Sequence, residues 1–428
     1  MAFGLYIHVP FCARRCGYCS FVTYAPGELT ASQTHRRWAE AAVAEVGVAA
    51  AGLGGHDDSE PTVVDTIYFG GGTPTAVDPA LLAGVLDAVR ERFAVAGDVE
   101  ISVEANPDGL APGTLESLAG LGVRRVSFGM QSADPRVLTL LDRTHDPESV
   151  PAAVAAARAA GIPSVSLDLI AGTPGETDAD WANTVAAALE MQPDHLSAYS
   201  LGIEGGTRLA ARVRRGDLSE PSPDEAASRY QHLDAAASSA GLSWYEVSNW
   251  ARTPADRCRH NLGYWRDDDW WGIGPGAHSH VDGRRWWNHS GLDAWSTEAL
   301  AGRVPAAGSE TPTAEERLTE HIMLGIRLAE GISTDRVADG SVDSLVDREA
   351  MPPLRIHSAM KTFKAMRSNH KLLVLVKVPD FNSLVGEFDI VGHFNILRHF
   401  CLVDDSQALF ILTPHDDAFI IGDRFFPT

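Results

Sequence analysis

Gly4-Leu5-Tyr6-Ile7-His8-Val9-Pro10-Phe11-Cys12-Ala13-Arg14-Arg15-Cys16-Gly17-Tyr18-Cys19 lies near the N-terminus and decides how the rest is read. Leu5 to Val9 is a short apolar run of strand character, and three cysteines follow it within eight residues. Three thiolates at C-x-x-x-C-x-x-C spacing on one loop can reach three corners of an iron–sulfur cubane. The fourth iron is then left without a protein ligand, an open position for chemistry. A structural zinc site is the competing reading. It wants four closed protein ligands, for which His8 is the available fourth, and no second C-x-x-C lies nearby.

Outward from that loop, short apolar runs alternate with Ala/Leu-rich helical stretches as far as residue 200. Strands are expected at Leu5 to Val9, Thr66 to Phe69, Glu100 to Glu104, Arg125 to Phe128, Ser164 to Leu169 and His195 to Ser200. Helices are expected at Leu81 to Phe93, Leu115 to Leu121, Val150 to Ala160 and Asp178 to Glu190. Such alternation implies an α/β fold with a parallel sheet, right-handed crossovers and a site at the C-terminal strand ends. The polar candidates fall there: the cysteines after the first strand and Gly70-Gly71-Gly72-Thr73-Pro74 after the second. Glu104 ends the third strand, Gln131 follows the fourth, and Asp168 and Tyr199 end the fifth and sixth.

Composition bounds the function. The chain has 428 residues, 45% of them hydrophobic, enough for a large core and two or three domains. Apolar runs of membrane-spanning length and a signal-peptide layout are both missing from the pattern, so a cytoplasmic address is expected. A formal charge of -22 disfavours nucleic acid and anionic membranes. Five cysteines, two of them isolated at Cys258 and Cys401, do not make an even disulfide framework. Close thiols in a reducing compartment read instead as metal or cluster ligands. All four lysines, Lys361, Lys364, Lys371 and Lys377, lie beyond residue 360. There the Ala/Gly-rich style also gives way to Phe, Ile and Leu, with strand-like runs at Lys371 to Val378 and Ala408 to Leu412. A domain boundary is therefore expected near 310 to 345.

Glycines at 70 to 72 either form a flexible turn or let backbone groups approach a ligand, and Pro74 stiffens the exit. Glu104 and Asp168 are either solvated carboxylates or partners for hydroxyl and ammonium groups. Eight of the ten tryptophans lie between Trp244 and Trp295, with His260, His278, His280 and His289 among them. Planar rings there would stack on a porphyrin, with an imidazole as axial ligand, or simply pack a small core. Cys258 reads as a second ligand beside His260 or as a buried free thiol.

Several motifs together carry a family resemblance. Tyr6 to Cys12, Tyr18-Cys19, Tyr68 to Thr75, Val103-Glu104-Ala105-Asn106-Pro107, Ser127 to Ser132 and Asp168 to Gly175 resemble the radical S-adenosylmethionine (SAM) family of oxygen-independent coproporphyrinogen III oxidases and their heme-chaperone relatives. The likeness spans roughly residues 3 to 340. It implies a partial (β/α)6 radical SAM barrel over 1–205, an extension with the His/Trp-rich heme or substrate segment over 206–310, and a small C-terminal α+β, winged-helix-like domain over 311–428. Residues 341–396 match the family poorly, and Leu397 to Phe426 keeps an apolar helix, a turn at Asp404-Asp405 and a strand ending at Leu412.

By the same resemblance Cys12, Cys16 and Cys19 bind a 4Fe-4S cluster. Gly71, Gly72 and Thr73 line the methionine end of SAM, and Tyr6, Glu104, Gln131, Arg143, Asp168 and Gly202 contact it. The implied chemistry is reductive cleavage of SAM to a 5′-deoxyadenosyl radical. Two features separate the branches. Phe21 stands where the oxidases resemble C-x-x-x-C-x-x-C-x-C, and His260-Asn261-Leu262-Gly263-Tyr264-Trp265 is similar to the chaperones' H-N-x-x-Y-W motif, with His260 as a heme contact. The expectation is a chaperone that binds heme and delivers it to apo-hemoproteins. Oxidative decarboxylation of coproporphyrinogen III is the alternative.

Overall fold

Alternation of small or polar side chains with branched apolar ones shapes the first half of this computed structural model, which describes residues 2–54, 62–220, 222–325 and 327–331, together with 375–376 and 408–409. Strands β1 (Phe3–Val9), β2 (Val63–Gly71), β3 (Ala94–Ala105), β4 (Arg125–Gln131), β5 (Ser164–Ala171) and β6 (His195–Ser200) lie side by side in sequence order, all parallel. On one face Leu5, Ile7, Val9, Ile67, Phe69, Val126, Phe128, Val165 and Leu167 are fully buried beneath the crossover helices. The opposite face carries Tyr6 and His8, Thr66 and Tyr68, Glu100, Ser102 and Glu104, Arg125 and Ser127, Ser164, Ser166 and Asp168, and His195 and Ser197. This interior is polar, whereas a closed eight-stranded barrel of this class fills its centre with branched apolar residues.

Helices His35–Leu53, Pro79–Arg92, Thr114–Gly120, Ser149–Ala159 and Asp178–Glu190 cross over between these strands. Each buries residues at three- and four-residue spacing, as in Leu82, Val85, Leu86 and Val89 or Trp181, Val185 and Ala188. Their starts are fixed by side-chain caps. Thr34 accepts from the Arg37 N–H, and Thr177 with Asp180 forms a reciprocal capping box. All six expected strands are present, most a few residues longer than expected, and β6 keeps its expected bounds. The helix His35–Leu53 was not among those expected from sequence.

Residues beyond β6 extend the sheet at both edges. β7 (Ser243–Glu246) and β8 (Asn249–Ala251) form an antiparallel hairpin on β6. On the other edge β9 (Asp269–Ile273) runs parallel to β1, and β10 (His278–Val281), β11 (Arg284–Asn288) and β12 (Ala306–Glu310) continue as a meander. The sheet is therefore open, ordered β12-β11-β10-β9-β1-β2-β3-β4-β5-β6-β8-β7. Much of the tryptophan cluster is core: Trp250, Trp271, Trp286 and Trp295 are buried, and Trp271 meets Trp286 edge-on at 4.7 Å.

Contacts divide the chain into Met1–Pro312 and Thr313–Thr428. The first unit holds both the 1–205 and the 206–310 segments. In the second, the described residues are the helix Ala314–Gly325, the turn after it, and Leu375–Val376 paired antiparallel with Ala408–Leu409. These two strands fall inside the expected runs 371–378 and 408–412. The winged-helix form, the helix from Leu397, the turn at Asp404-Asp405, Cys401 and the divergent stretch 341–396 otherwise lie outside the described residues. Among the described residues, no helix is long and apolar enough to cross a membrane.

Candidate functional site: a cysteine loop over a polar barrel mouth

The loop after β1 carries Cys12, Cys16 and Cys19, each partly exposed. It is pinned at four places. Cys12 N–H donates to Tyr24 O (3.0 Å), Tyr24 N–H to Pro10 O (2.7 Å), Gly17 N–H to Leu141 O (3.0 Å) and Leu209 N–H to Gly17 O (2.9 Å). The Tyr24 hydroxyl reaches Ser290 O at 3.1 Å. Two sulfurs receive hydrogen bonds: Thr73 Oγ1 to Cys12 Sγ at 3.8 Å and Arg143 Nη1 to Cys16 Sγ at 3.7 Å. Donors aimed at sulfur favour the thiolate, the form that binds metal. Burial nonetheless pushes the Cys12 thiol up to about 11, against the Thr73 hydroxyl, so ionisation there is coupled to metal capture.

Arg143 is held from behind by Gly129 O, which accepts Nη2 at 2.6 Å, and by His145 Nδ1 at 3.3 Å from Nε. Gly129 is available because β4 breaks register between Phe128 and Gln131, where Gln131 sits at φ 61°. The glycine loop is tied to the cysteine loop through its backbone. Gly72 N–H and Thr73 N–H donate to Val9 O (2.8 Å) and Phe11 O (2.7 Å), and a Cβ on Gly72 would lie 2.7 Å from both carbonyls. Gly71, at φ 106°, packs on the His8 ring. These glycines bring the second loop against the backbone of the first.

Below the loops, Glu104 accepts from the Tyr68 hydroxyl (2.9 Å) and from Gly71 N–H (3.0 Å). Burial, reinforced by the Asp168 carboxylate, raises its pKa to about 7. Asp168 is raised by burial to about 6 against the hydroxyls of Ser127, at 2.8 Å, and Ser197. Tyr6 reaches His8 Nδ1 at 2.9 Å, and His8 Nε2 donates to Val22 O at 2.7 Å. Burial lowers the His8 pKa to about 4, so the ring is neutral and fully partnered. His8 is thereby unavailable as a fourth zinc ligand. Among the described residues, no three His, Cys, Asp or Glu side chains converge on a single ion, whereas a cubane gives each thiolate an iron of its own.

Three thiols, two of them hydrogen-bonded, beside a carboxylate and hydroxyl cradle fit a cluster with a polar, amine-bearing ligand. The structure thus gathers Tyr6, Gly71, Gly72, Thr73, Glu104, Gln131, Arg143 and Asp168 beneath or beside the cysteine loop. Gly202 differs: it is exposed after β6, and a Cβ there would meet only Glu204 within 4 Å, at 3.5 Å.

His260 lies apart from the cysteine loop. It is 4% exposed, and its Nδ1 and Nε2 pair with Thr66 Oγ1 and the Tyr264 hydroxyl, both at 2.8 Å. Thr66 and Gly4, which it packs against, lie at the N-terminal ends of β2 and β1, the end away from the cysteines. Both ring nitrogens are thus hydrogen-bonded to hydroxyls, and burial lowers its pKa to about 3, which keeps the imidazole neutral. Cys258, also buried, donates to Glu100 Oε1 at 3.8 Å and is likewise structural.

Comparison with known proteins agrees with this geometry. Residues 6–188 match the Radical SAM superfamily. A heme chaperone HemW of Mycobacterium tuberculosis is 47% identical over 359 residues, covering 81% of this chain and 90% of that protein. The chain belongs to the HemW family. Another HemW, from Synechocystis, is 35% identical over 78% of this chain and 80% of its own length. In fold, this HemW-family chain is similar to the Escherichia coli coproporphyrinogen III oxidase HemN, a radical SAM enzyme, with TM-score 0.68 at 20% identity over 96% of this chain and 87% of that one. Membership of the radical SAM superfamily implies a 4Fe-4S cluster and SAM.

Sequence reasoning missed the residues that hold the site residues in place, namely Tyr68, Ser127, Asn106 and the bonding role of His8. Asn106 donates to Thr73 Oγ1 at 3.3 Å. Their signal was present: polar residues at every second position of each strand, the mark of a polar interior.

Proposed function

We propose that this protein is a cytoplasmic heme chaperone that binds heme and passes it to apo-hemoproteins, with a 4Fe-4S cluster on Cys12, Cys16 and Cys19 and SAM over the barrel mouth. The observation that carries this reading is the 47% identity, across 81% of the chain, to a protein named as a heme chaperone. Phe21, 63% exposed where the oxidase pattern has a cysteine, agrees with it.

When bound, the cluster and SAM supply reductive cleavage of a sulfonium carbon–sulfur bond. The chain's own residues bind and orient. Arg143 sets a positive charge beside Cys16, and Thr73 donates to Cys12. Glu104 fixes Gly71 and so the glycine loop, and His8 fastens the cysteine loop at Val22. Tyr6, Gln131 and Asp168 complete the polar wall against which SAM would lie, with Gly202 at its exposed edge.

Anaerobic reconstitution tests the reading. Wild type should take up iron and sulfide and bind heme stoichiometrically, without converting coproporphyrinogen III. Cys16→Ala should lose essentially the whole cluster, because one of three corners is gone. Catalytic formation of protoporphyrinogen would instead make the protein an oxidase.

A further inference from the structure

The H-N-x-x-Y-W segment lies on the helix Arg259–Trp265, at the N-terminal end of the barrel. Glu100 Oε2 and Oε1 accept the N–H groups of Arg259 (3.1 Å) and His260 (3.2 Å), orienting the start of that helix. From it the His260 ring enters the interior and lies over Tyr68, with centroids 5.1 Å apart and planes 22° apart. Tyr6 is stacked on both, 6.4 Å from His260 and 6.3 Å from Tyr68. Tyr264 meets the His260 ring edge-on at 5.0 Å and bonds its Nε2.

Tyr68 and Tyr6 each connect, through one further side chain, to a different loop of the mouth. Tyr68 bonds Glu104, which holds Gly71 N–H in the glycine loop. Tyr6 bonds His8, which holds Val22 O in the cysteine loop. The ring of His260 is therefore the common support of two hydrogen-bonded struts that end on the two loops.

We propose that His260, braced by Tyr264, is a positioning residue for the SAM site. It keeps Tyr68 and Tyr6 at the height at which Glu104 and His8 fix the glycine and cysteine loops. The inference rests on the reading that these loops bind SAM. Positioning matters here because polar groups misplaced by a fraction of an ångström lose much of their hold on a ligand. The support is one of shape, and the hydrogen bonds of His260 serve to hold its own ring still.

The test compares His260→Ala with the double variant His260→Phe/Tyr264→Phe, which keeps a ring in the stack and removes the polar pair together. Val185→Ala, on the outer helical layer, controls for lost stability. Iron and sulfide are counted after reconstitution, SAM affinity is read from the change that SAM causes in the reduced cluster's EPR spectrum, and heme is titrated separately. His260→Ala should keep its iron and sulfide and its heme stoichiometry while its SAM affinity falls about tenfold. The double variant should return to within about threefold of wild type, and Val185→Ala should not move SAM affinity. Unchanged SAM affinity in His260→Ala overturns the proposal. So does failure of the double variant to rescue, or an equal loss in Val185→Ala. A wild-type spectrum that does not respond to SAM would instead overturn the reading of the loops themselves.

Discussion

At the C-terminal mouth of the barrel Cys12, Cys16 and Cys19 stand partly exposed, while at the N-terminal floor Cys258 is buried with Glu100 beside it. Both ends are rich in cysteine, histidine, tyrosine and carboxylate. They differ in where the hydrogen bonds point. At the floor, Tyr245 bonds His195 Nε2 (2.8 Å) and Cys258 N–H (3.1 Å), and Arg125 bonds Asp256 O, so side chains close on one another. At the mouth, Arg143 and Thr73 converge on sulfur atoms from which a ligand can continue. Residue type marks where chemistry could be, and the direction of the remaining valences marks where it is.

The sharpest way to break this contrast is Gly72→Ala. The added methyl would lie 2.7 Å from Val9 O and Phe11 O, so the glycine and cysteine loops must part. A cost of about 3 kcal/mol, from overpacking against backbone, is expected with a marked fall in cluster yield, read by iron and sulfide analysis. Normal cluster content in Gly72→Ala would mean that the two loops need not touch.

Glu100→Ala probes the floor. Losing acceptors for two N–H groups at the start of the helix Arg259–Trp265 should cost about 2 kcal/mol in chemical unfolding, with iron and sulfide per folded chain unchanged. Equal losses of cluster and stability would erase the distinction between the two ends.

The smallest effect is a pH dependence. Glu45, fully buried on the helix His35–Leu53, accepts from Gly274 N–H, Trp295 Nε1 and Asn288 Nδ2, yet burial raises its pKa to about 7. The folded value lies above the ordinary 4.5, so the folded state holds the proton more tightly. Its contribution is complete below about pH 4.5 and is lost as pH rises through about 7. The melting temperature should fall by a few degrees between pH 5 and 8, about 1–2 kcal/mol, and Glu45→Gln should flatten that slope. A slope identical in the variant would remove Glu45 from the account.

The parallel sheet of β1 to β6 was legible because short runs bearing branched apolar residues alternate with Ala/Leu-rich helical stretches, and the cysteine spacing stood out on its own. Strands β7 to β12 were not, since three- to five-residue strands leave too few positions for a period to register. The packing of the tryptophans was not legible for a related reason. Trp250 and Trp295 satisfy their indole N–H groups on Asp234 and Glu45, partners 16 and 250 residues away that no local pattern reveals. The position of His260 against Gly4 and Thr66 was not legible either, because spacing does not say at which end of a barrel a helix docks.

Gln131 occupies left-handed backbone, φ 61°, that glycine would adopt without strain. A side chain there costs the fold about 1 kcal/mol. In return the amide packs against Gly129 and the turn exposes the carbonyl that grips Arg143. Glycine at this position would relieve the strain and remove the amide that packs on Gly129 beside Arg143.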